Sequence, residues 1–170
     1  MFACELSQLN KTGDGILTIG ESNSYTAGTT TISKGLLQVA SSKTLSGGVT
    51  GTGSDKSILG GDGTISGTTT IGSATGEVDV ISPGLGYATS LTSASSQKQA
   101  PSGRSTSAEA IGSLTTNTLN WNSGGVFDWE ISDFDSSNNS GFDVLNVNNL
   151  TFDGSNNYDI NIMAVNSSGG

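Results

Sequence analysis

At 170 residues the chain has the size of one ordinary domain, and its composition excludes several kinds of chemistry. It contains no histidine and one cysteine, Cys4, so a Ser-His-Asp triad, a Cys-His dyad, a histidine-ligated zinc site and an internal disulfide are all excluded. The net charge is −9, and all six Lys and Arg precede Ser105 while eight Asp and Glu follow it. Because nucleic-acid binding depends on Lys and Arg neutralising phosphates, we exclude nucleic acid as a partner, and we regard anionic membrane surfaces as unsuitable for the same reason.

The low apolar content predicts a thin β-structure. Hydrophobic residues make up 32% of the chain, below the usual ~45–50% of globular domains, but only 12% of residues are charged and there are 25 glycines. A disordered chain would combine low hydrophobicity with high charge, whereas here Val, Ile, Leu and Thr recur in short alternating runs. No apolar run approaches the ~20 residues of a membrane helix, so we expect a segment that is not embedded in a membrane.

Taken in order, the first elements are short strands bounded by glycine. Residues 15–20 and 35–39 have strand length and β-branched or leucine-rich content. Helical i, i+3, i+4 periodicity does not persist anywhere along the chain. The fold class is therefore predicted to be all-β.

Two internal repeats indicate a stack of similar units. Gly-Thr-Thr-Thr-Ile recurs at 28–32 and 67–71, and Gly-Asp-Gly recurs at 13–15 and 61–63. We interpret both as parts of two copies of one strand-turn module, whose first copy has a longer connection. The spacing suits either two rungs of a solenoid or one rung with an excursion. The threonine rows are expected to pack as ladders between rungs rather than to form an ice-binding surface.

The second half continues the strand pattern after an interruption. Residues 87–110 are rich in Ser, Thr and Ala and are predicted to be a long surface loop or disordered insertion. Further strands are predicted at 77–81, 111–114, 118–121, 125–131, 142–147, 150–152 and 158–162. The resulting organisation is a ragged N-terminal segment at 1–10, β-solenoid rungs at 11–86, the insertion at 87–110 and further, acidic rungs at 111–170.

The repeat module resembles the passenger-associated strand repeat of bacterial autotransporters, also called the autotransporter-associated β-strand repeat. The residues that carry the resemblance are 13–18, 24–32 and 34–39, with Ala27 replacing the first glycine of the family's usual Gly-Gly pair. Residues 59–162 are loosely similar to the family's terminal unit. The resemblance implies a right-handed parallel β-helix (β-solenoid), exported to the cell surface or released, and attached to the outer membrane through a part outside these 170 residues.

The densest group of candidate site residues is acidic. Asp128, Glu130, Asp133 and Asp135 could serve as a carboxylate pair for sugar chemistry or as oxygen ligands for calcium, with Trp121 as a stacking platform for carbohydrate. Their spacing matches no calcium-binding loop. The competing interpretation is that the acids form a solvated outer face, and we assign no catalytic, cofactor or metal role to any residue.

Period-two alternation from 125 to 131 supports that competing interpretation. Phe127, Trp129 and Ile131 are predicted to face inward, with Val126, Asp128 and Glu130 facing solvent. Trp129 is expected to fill the core, while Trp121 is left open between core and surface.

We therefore expect a non-catalytic structural or adhesive segment of an exported bacterial β-solenoid, acting as a surface stalk or display scaffold. Its expected partners are an extracellular glycan or another surface protein. The first alternative is a carbohydrate-binding or polysaccharide-active β-helix. The second is a self-associating filament or matrix unit joined end to end or through strand edges.

Overall fold

A computed structural model describes residues 5–20, 26–51, 57–72, 79–84, 111–133, 141–154 and 158–164. Within them the backbone forms β-strands and no helix, which confirms the all-β prediction. The strands are β1 (Glu5–Lys11), β2 (Ile16–Ile19), β3 (Thr26–Ile32), β4 (Gly35–Val39), β5 (Thr44–Gly51), β6 (Ser57–Gly61), β7 (Thr64–Ile71), β8 (Asp79–Pro83), β9 (Ser113–Trp121), β10 (Val126–Ile131), β11 (Val144–Phe152) and β12 (Asp159–Ala164). The predicted insertion at 87–110 lies outside the described residues.

The strands alternate between two six-stranded sheets. The odd-numbered strands form the first sheet in the order β1-β3-β5-β7-β9-β11, and the even-numbered strands form the second in the order β2-β4-β6-β8-β10-β12. All pairings between these strands are parallel. One strand from each sheet makes one rung, so the chain climbs the stack rung by rung. This architecture is consistent with a β-solenoid.

The main core lies between the two sheets. Its members come from both: Leu37 and Leu59 from the second sheet, and Leu45, Ile65 and Leu119 from the first, all at most 3% exposed. Strands β4 and β6 are buried at every position, so both faces of the second sheet are covered at this level.

A second, smaller cluster lies on the other face of the second sheet. It contains Leu36, Ile58, Val80 and Val126, which are in register on β4, β6, β8 and β10. Successive residues of a strand point to opposite faces, so Leu36 and Leu37 serve different clusters. The outer face of the second sheet is therefore apolar and buried at this level, not a solvated surface.

The structure separates the two sequence repeats. The Gly-Thr-Thr-Thr-Ile copies fall in β3 and β7, which both pair with β5, so their spacing corresponds to two rungs. The Gly-Asp-Gly copies are not equivalent: residues 13–15 connect β1 to β2, whereas 61–63 connect β6 to β7. The first connection leads from the first sheet to the second, and the other leads from the second sheet back to the first. The prediction that the two Gly-Asp-Gly segments are copies of one module is therefore wrong.

Strand predictions were most accurate where glycines bound an apolar run. The strands at 15–20, 35–39 and 125–131 are found as β2, β4 and β10, while the late predicted fragments merge into the longer β9 and β11. Three strands, β1, β5 and β6, were missed. β1 lies in the segment predicted to be ragged, and β5 has only Leu45 and Val49 as apolar residues, separated by a glycine pair.

Candidate functional site

The acidic residues of β10 are buried, which corrects the prediction that they form a solvated face. Asp128 is 0% exposed and Glu130 is 3% exposed. The prediction of which side chains of β10 face inward and which face outward is correct at its start. Val126 belongs to the smaller cluster on the outer face of the second sheet, and Phe127 packs against the main core. The error lies in assuming that the outer face of this sheet meets water.

The neighbouring strand β12 supplies a hydrogen-bond partner for Asp128. Asn161 lies beside Asp128 in the register of β10 and β12, and its Nδ2 donates to Asp128 Oδ1 at 2.8 Å. A buried carboxylate needs such donors, because desolvation of an ionised group is costly. Asp128 is thus held within the sheet ladder rather than presented to a ligand.

A third buried carboxylate, Asp143, was not singled out from the sequence. It is 3% exposed and lies just before β11. Its Oδ1 accepts from the Gly112 backbone N at 2.9 Å, and its Oδ2 accepts from the Glu130 backbone N at 3.1 Å. Its own backbone N donates to the Glu130 carbonyl at 2.8 Å. Asp143 therefore fastens β10 to the residue that precedes β9. The available signal was an Asp at the start of a strand, where such residues often bond to nearby backbone.

Asp133 and Asp135 do not complete a site with these groups. Asp133 is exposed, just after the end of β10, and Asp135 lies outside the described residues. Among the residues that the structure describes, no three His, Cys, Asp or Glu side chains are grouped so that they could hold a metal ion. The calcium interpretation thus gains no assembled ligand set from the described part of the chain.

Trp121 belongs to the main core, which settles the alternative left open by the sequence. It is 7% exposed, and its Nε1 donates to the Gly125 carbonyl at 2.9 Å. Phe152 stacks against it at a centroid distance of 6.1 Å, and Tyr158 meets it edge-on at 6.3 Å. A sugar ring would need the indole face that these contacts occupy.

Trp129 has a different environment from the one expected. It is only half-buried, and its ring meets Phe142 edge-on at a centroid distance of 6.2 Å. Its Nε1 donates to the Asp143 carbonyl at 2.8 Å. Trp129 thus covers the corner that leads into β11 and is absent from the main cluster, so its assignment as a core residue was wrong.

The outer face of the first sheet is polar and uncharged. One row crosses all six strands in register and consists of Asn10, Thr31, Thr50, Thr70, Asn120 and Thr151. We call this row the polar ladder. At one end of it the Thr151 hydroxyl donates to Asn120 Oδ1 at 2.6 Å. The register confirms that the threonine rows form ladders between rungs.

Lys11 joins the corners of the first two rungs. This side chain is 7% exposed, and its Nζ donates to the Gly13 carbonyl at 2.6 Å and the Lys34 carbonyl at 3.0 Å. Burial lowers the pKa of Lys11 below its usual value of 10.5, while the nearby Asp14 carboxylate opposes the shift. The aliphatic part of Lys11 can therefore cover apolar neighbours while its amine satisfies backbone carbonyls.

Comparisons with known proteins leave the chain without an assigned relative. No protein-family model, no curated protein and no solved structure matches it. Within the described residues there is also no helix of the length and apolarity needed to cross a membrane.

Proposed function

We propose that this chain is a non-catalytic structural or adhesive segment of an exported bacterial β-solenoid, a right-handed parallel β-helix that serves as a surface stalk or display scaffold. The observation that carries the proposal is that every strand pairing in both sheets is parallel, from the first described rung to the last. Export and surface location rest on the resemblance of residues 13–39 to the autotransporter-associated strand repeat.

Stiffness supports the role of a stalk. Each rung is joined to the next through backbone ladders in two sheets at once, and through side-chain rows such as the polar ladder. The main core runs along the stack from Ile19 to Trp121, so bending between rungs would open apolar contacts. A rod built in this way holds an attached domain at a fixed distance, which a flexible linker of equal length cannot do.

The state of the carboxylates supports a role without catalysis. Asp128, Glu130 and Asp143 are buried, and their neighbours Asn161 and Gly112 donate hydrogen bonds to Asp128 and Asp143 respectively. Catalytic carboxylates of a glycosidase have to face the substrate from either side of the scissile bond. Trp121 is likewise covered by Phe152 and Tyr158, so the sugar-binding alternative loses its stacking platform.

The right-handed coil follows from the general behaviour of parallel crossovers. Connections between parallel strands of one sheet are right-handed in about 98% of βαβ cases, because strands twist to the right. Here each crossover between neighbours of the first sheet passes through a strand of the second sheet. The same steric preference favours a right-handed coil.

Surface labelling of intact bacteria tests the proposed location. An antibody raised against this segment should bind cells that produce the natural protein before they are lysed, and external protease should remove the signal. A periplasmic protein and a cytoplasmic protein of the same cells serve as controls for leakage. Binding only after lysis would refute the surface role.

Incubation with a panel of polysaccharides, with and without calcium, tests the absence of catalysis. No release of reducing ends is expected. If turnover occurs, Asp133→Asn examines the exposed acid of the candidate group, with Asp14→Asn as a matched exposed acid elsewhere. Turnover that Asp133→Asn abolishes and Asp14→Asn preserves would replace the scaffold proposal with the enzyme.

A further inference from the structure

The outward side of the second sheet is buried, although it lies on the outside of the stack. On four adjacent strands, β4, β6, β8 and β10, the outward residues form two neighbouring rows, and all of them are buried. The first row is Leu36, Ile58, Val80 and Val126, and the second is Gln38, Gly60, Ser82 and Asp128. We call this surface the covered face.

The groups that shield the covered face belong to the chain itself. The exposed fractions are those of one chain on its own. The described strands all belong to the two sheets, and the first sheet lies on the opposite side of the second, across the main core. A side chain on the outside of a sheet is kept from water only when other groups lie over it. The shielding groups therefore come from residues that connect the described strands.

Length singles out one connection. Four strands about 4.8 Å apart span about 14 Å. Between the described ranges, residues 85–110 form by far the longest run, and the next longest is 134–140. Residues 134–140 return to the corner that they leave, because the Asp133 backbone N donates to the Gly141 carbonyl at 3.0 Å. So short a run that starts and ends at one point reaches only about 12 Å, which does not cross the four strands.

The two ends of residues 85–110 lie together at one corner of the second sheet. Before this segment, Gly84 exchanges two backbone hydrogen bonds with Gly61 at the end of β6, at 2.8 and 2.9 Å. After it, Gly112 lies against Gly84, so that a Cβ on Gly112 would collide with the Gly84 backbone. No part of the segment is therefore needed to bridge a distance, and its whole length is available to cover the face.

The start of the segment matches the apolar row of the covered face. Leu85, Tyr87 and Leu91 fall within its first seven residues, directly after β8, whose Val80 belongs to that row. Contact between these side chains and the row is favourable, because it removes apolar surface from water on both sides.

Charge in the rest of the segment matches the buried acids of β10. Asp128 and Glu130, on the outward side of β10, are 0% and 3% exposed. Lys98 and Arg104 are the only Lys or Arg that follow Lys56 in the chain. Burial of an ionised carboxylate is costly, and a cation placed nearby offsets part of that cost. The bases of the segment are therefore suited to the acids of β10.

We propose that the covered face is an internal docking surface and that its occupant is the segment of residues 85–110. The apolar start of the segment lies on the apolar row, and its two bases lie toward the carboxylates of β10. The segment is then an integral part of the folded unit rather than the surface loop that its polar composition suggests. The inference concerns how the chain packs on itself, so it depends neither on export nor on the stalk role.

Replacement of the segment tests whether it is the occupant. A chain in which Gly and Ser replace residues 85–110 at equal length should bind the dye ANS, which reports exposed apolar surface, several-fold more than the unmodified chain. Val80→Ser in the replaced chain should reduce this extra binding, because Val80 lies in the apolar row. Leu150→Ser is the control, since it removes an exposed apolar side chain of the first sheet and should leave the extra binding unchanged.

Charge substitutions in the full-length chain test the same docking without removal of the segment. Lys98→Gln together with Arg104→Gln should lower the melting temperature. That loss should shrink by roughly half or more when Asp128→Asn and Glu130→Gln are also present, because the bases then have no charged partner on β10. Lys34→Gln is the matched control: its partner Asp14, at 3.0 Å, lies in the first rung, so its effect should be the same in both backgrounds.

Two results overturn the proposal. Equal ANS binding by the replaced and unmodified chains means that another part of the chain covers the face. Equal effects of the Lys98 and Arg104 substitutions in both backgrounds mean that these bases do not lie against the acids of β10. Circular dichroism shows whether the replaced chain folds, and if it does not, the charge substitutions in the full-length chain decide alone.

Discussion

Thr30 and Thr69 occupy inward positions of β3 and β7 and are both 0% exposed, but their hydroxyl groups differ. The Thr69 hydroxyl lies 2.8 Å from that of Thr116, with which it shares a hydrogen bond. The Thr30 hydroxyl is buried with no hydrogen-bond partner among the described residues. A buried hydroxyl without a partner keeps its desolvation cost uncompensated.

This difference predicts opposite effects of one substitution. Thr30→Val should raise the free energy of unfolding by about 1 kcal/mol, because a methyl group of similar size replaces an unsatisfied hydroxyl. Thr69→Val should lower it by about 1 kcal/mol, because it breaks the bond to Thr116. Chemical denaturation of the two variants measures both changes. Equal effects of the two substitutions would contradict the assignment of the hydrogen bonds.

Lys11 gives the stability of the protein a pH dependence in the alkaline range. Its pKa in the folded protein lies below 10.5, because burial disfavours the charged amine. Below the folded-state pKa the amine is charged in both states and the burial penalty is fully present. Between that pKa and 10.5 the unfolded chain binds more protons, so the contribution of Lys11 to the free energy of unfolding rises with pH.

Lys11→Met should remove that contribution. The melting temperatures of the two proteins are compared from neutral pH to 10.5, and the difference between them should change in favour of the unmodified chain as the pH rises. The other lysines are common to both proteins and cancel in the difference. Two curves that stay parallel over this range would contradict the shifted pKa.

Corner glycines set where the strands end. Gly61 ends β6 with φ at 108°, a conformation that favours glycine. A Cβ at Gly61 would also collide with the Val39 carbonyl, which accepts hydrogen bonds from the backbone N of Asp62 at 2.9 Å and of Gly63 at 3.0 Å. Gly13, with φ at 82°, has no atom within 4 Å of such a Cβ.

Alanine substitutions at the two glycines therefore distinguish the cost of backbone strain, which both share, from the cost of a steric collision, which only Gly61 has. Gly13→Ala should cost about 1–2 kcal/mol, which is the cost of the left-handed conformation alone. Gly61→Ala should cost about 3 kcal/mol or more, because the Val39 carbonyl has to move and its two hydrogen bonds weaken. Denaturation midpoints of the two variants measure the difference. Similar losses would mean that the corner at Gly61 relaxes without cost.

Strands could be predicted from the sequence where their buried residues form a continuous local run of apolar side chains. β4 begins at Gly35 and carries Leu36, Leu37 and Val39, so it could be identified. β5 could not, because its inward residues Leu45 and Val49 are separated by a glycine pair, next to which the pairing of β3 with β5 shifts register. The side of the sheet on which the Asp128 side chain lies could also be predicted from the alternation. Its burial could not be predicted, because the residues that cover a sheet face are distant in sequence.

Stability is expected to vary along the stack. In β6 all five residues are buried, whereas in β12 four of six are exposed. In repeat architectures each unit is held by its neighbours, and a terminal unit has only one. The last rung should therefore open locally more often than the middle of the stack.

Native-state hydrogen exchange tests this gradient. Amides of β4 and β6 should be the most protected, and those of β12 should exchange faster by roughly an order of magnitude or more, since opening of the last rung exposes few additional apolar contacts. Uniform protection from β4 to β12 would show that the stack opens only as a whole.

The equivalence of β3 and β7 bears on how the gene can change in length. Both strands carry Gly-Thr-Thr-Thr-Ile at the same level of the first sheet, two rungs apart. Recombination between the two encoding segments would remove or duplicate residues 33–71, which include two strands of each sheet. Inward and outward positions would remain in phase on either side of the junction. Such recombination would lengthen or shorten the stack by two rungs at a time. Related genes could then encode stacks of different height.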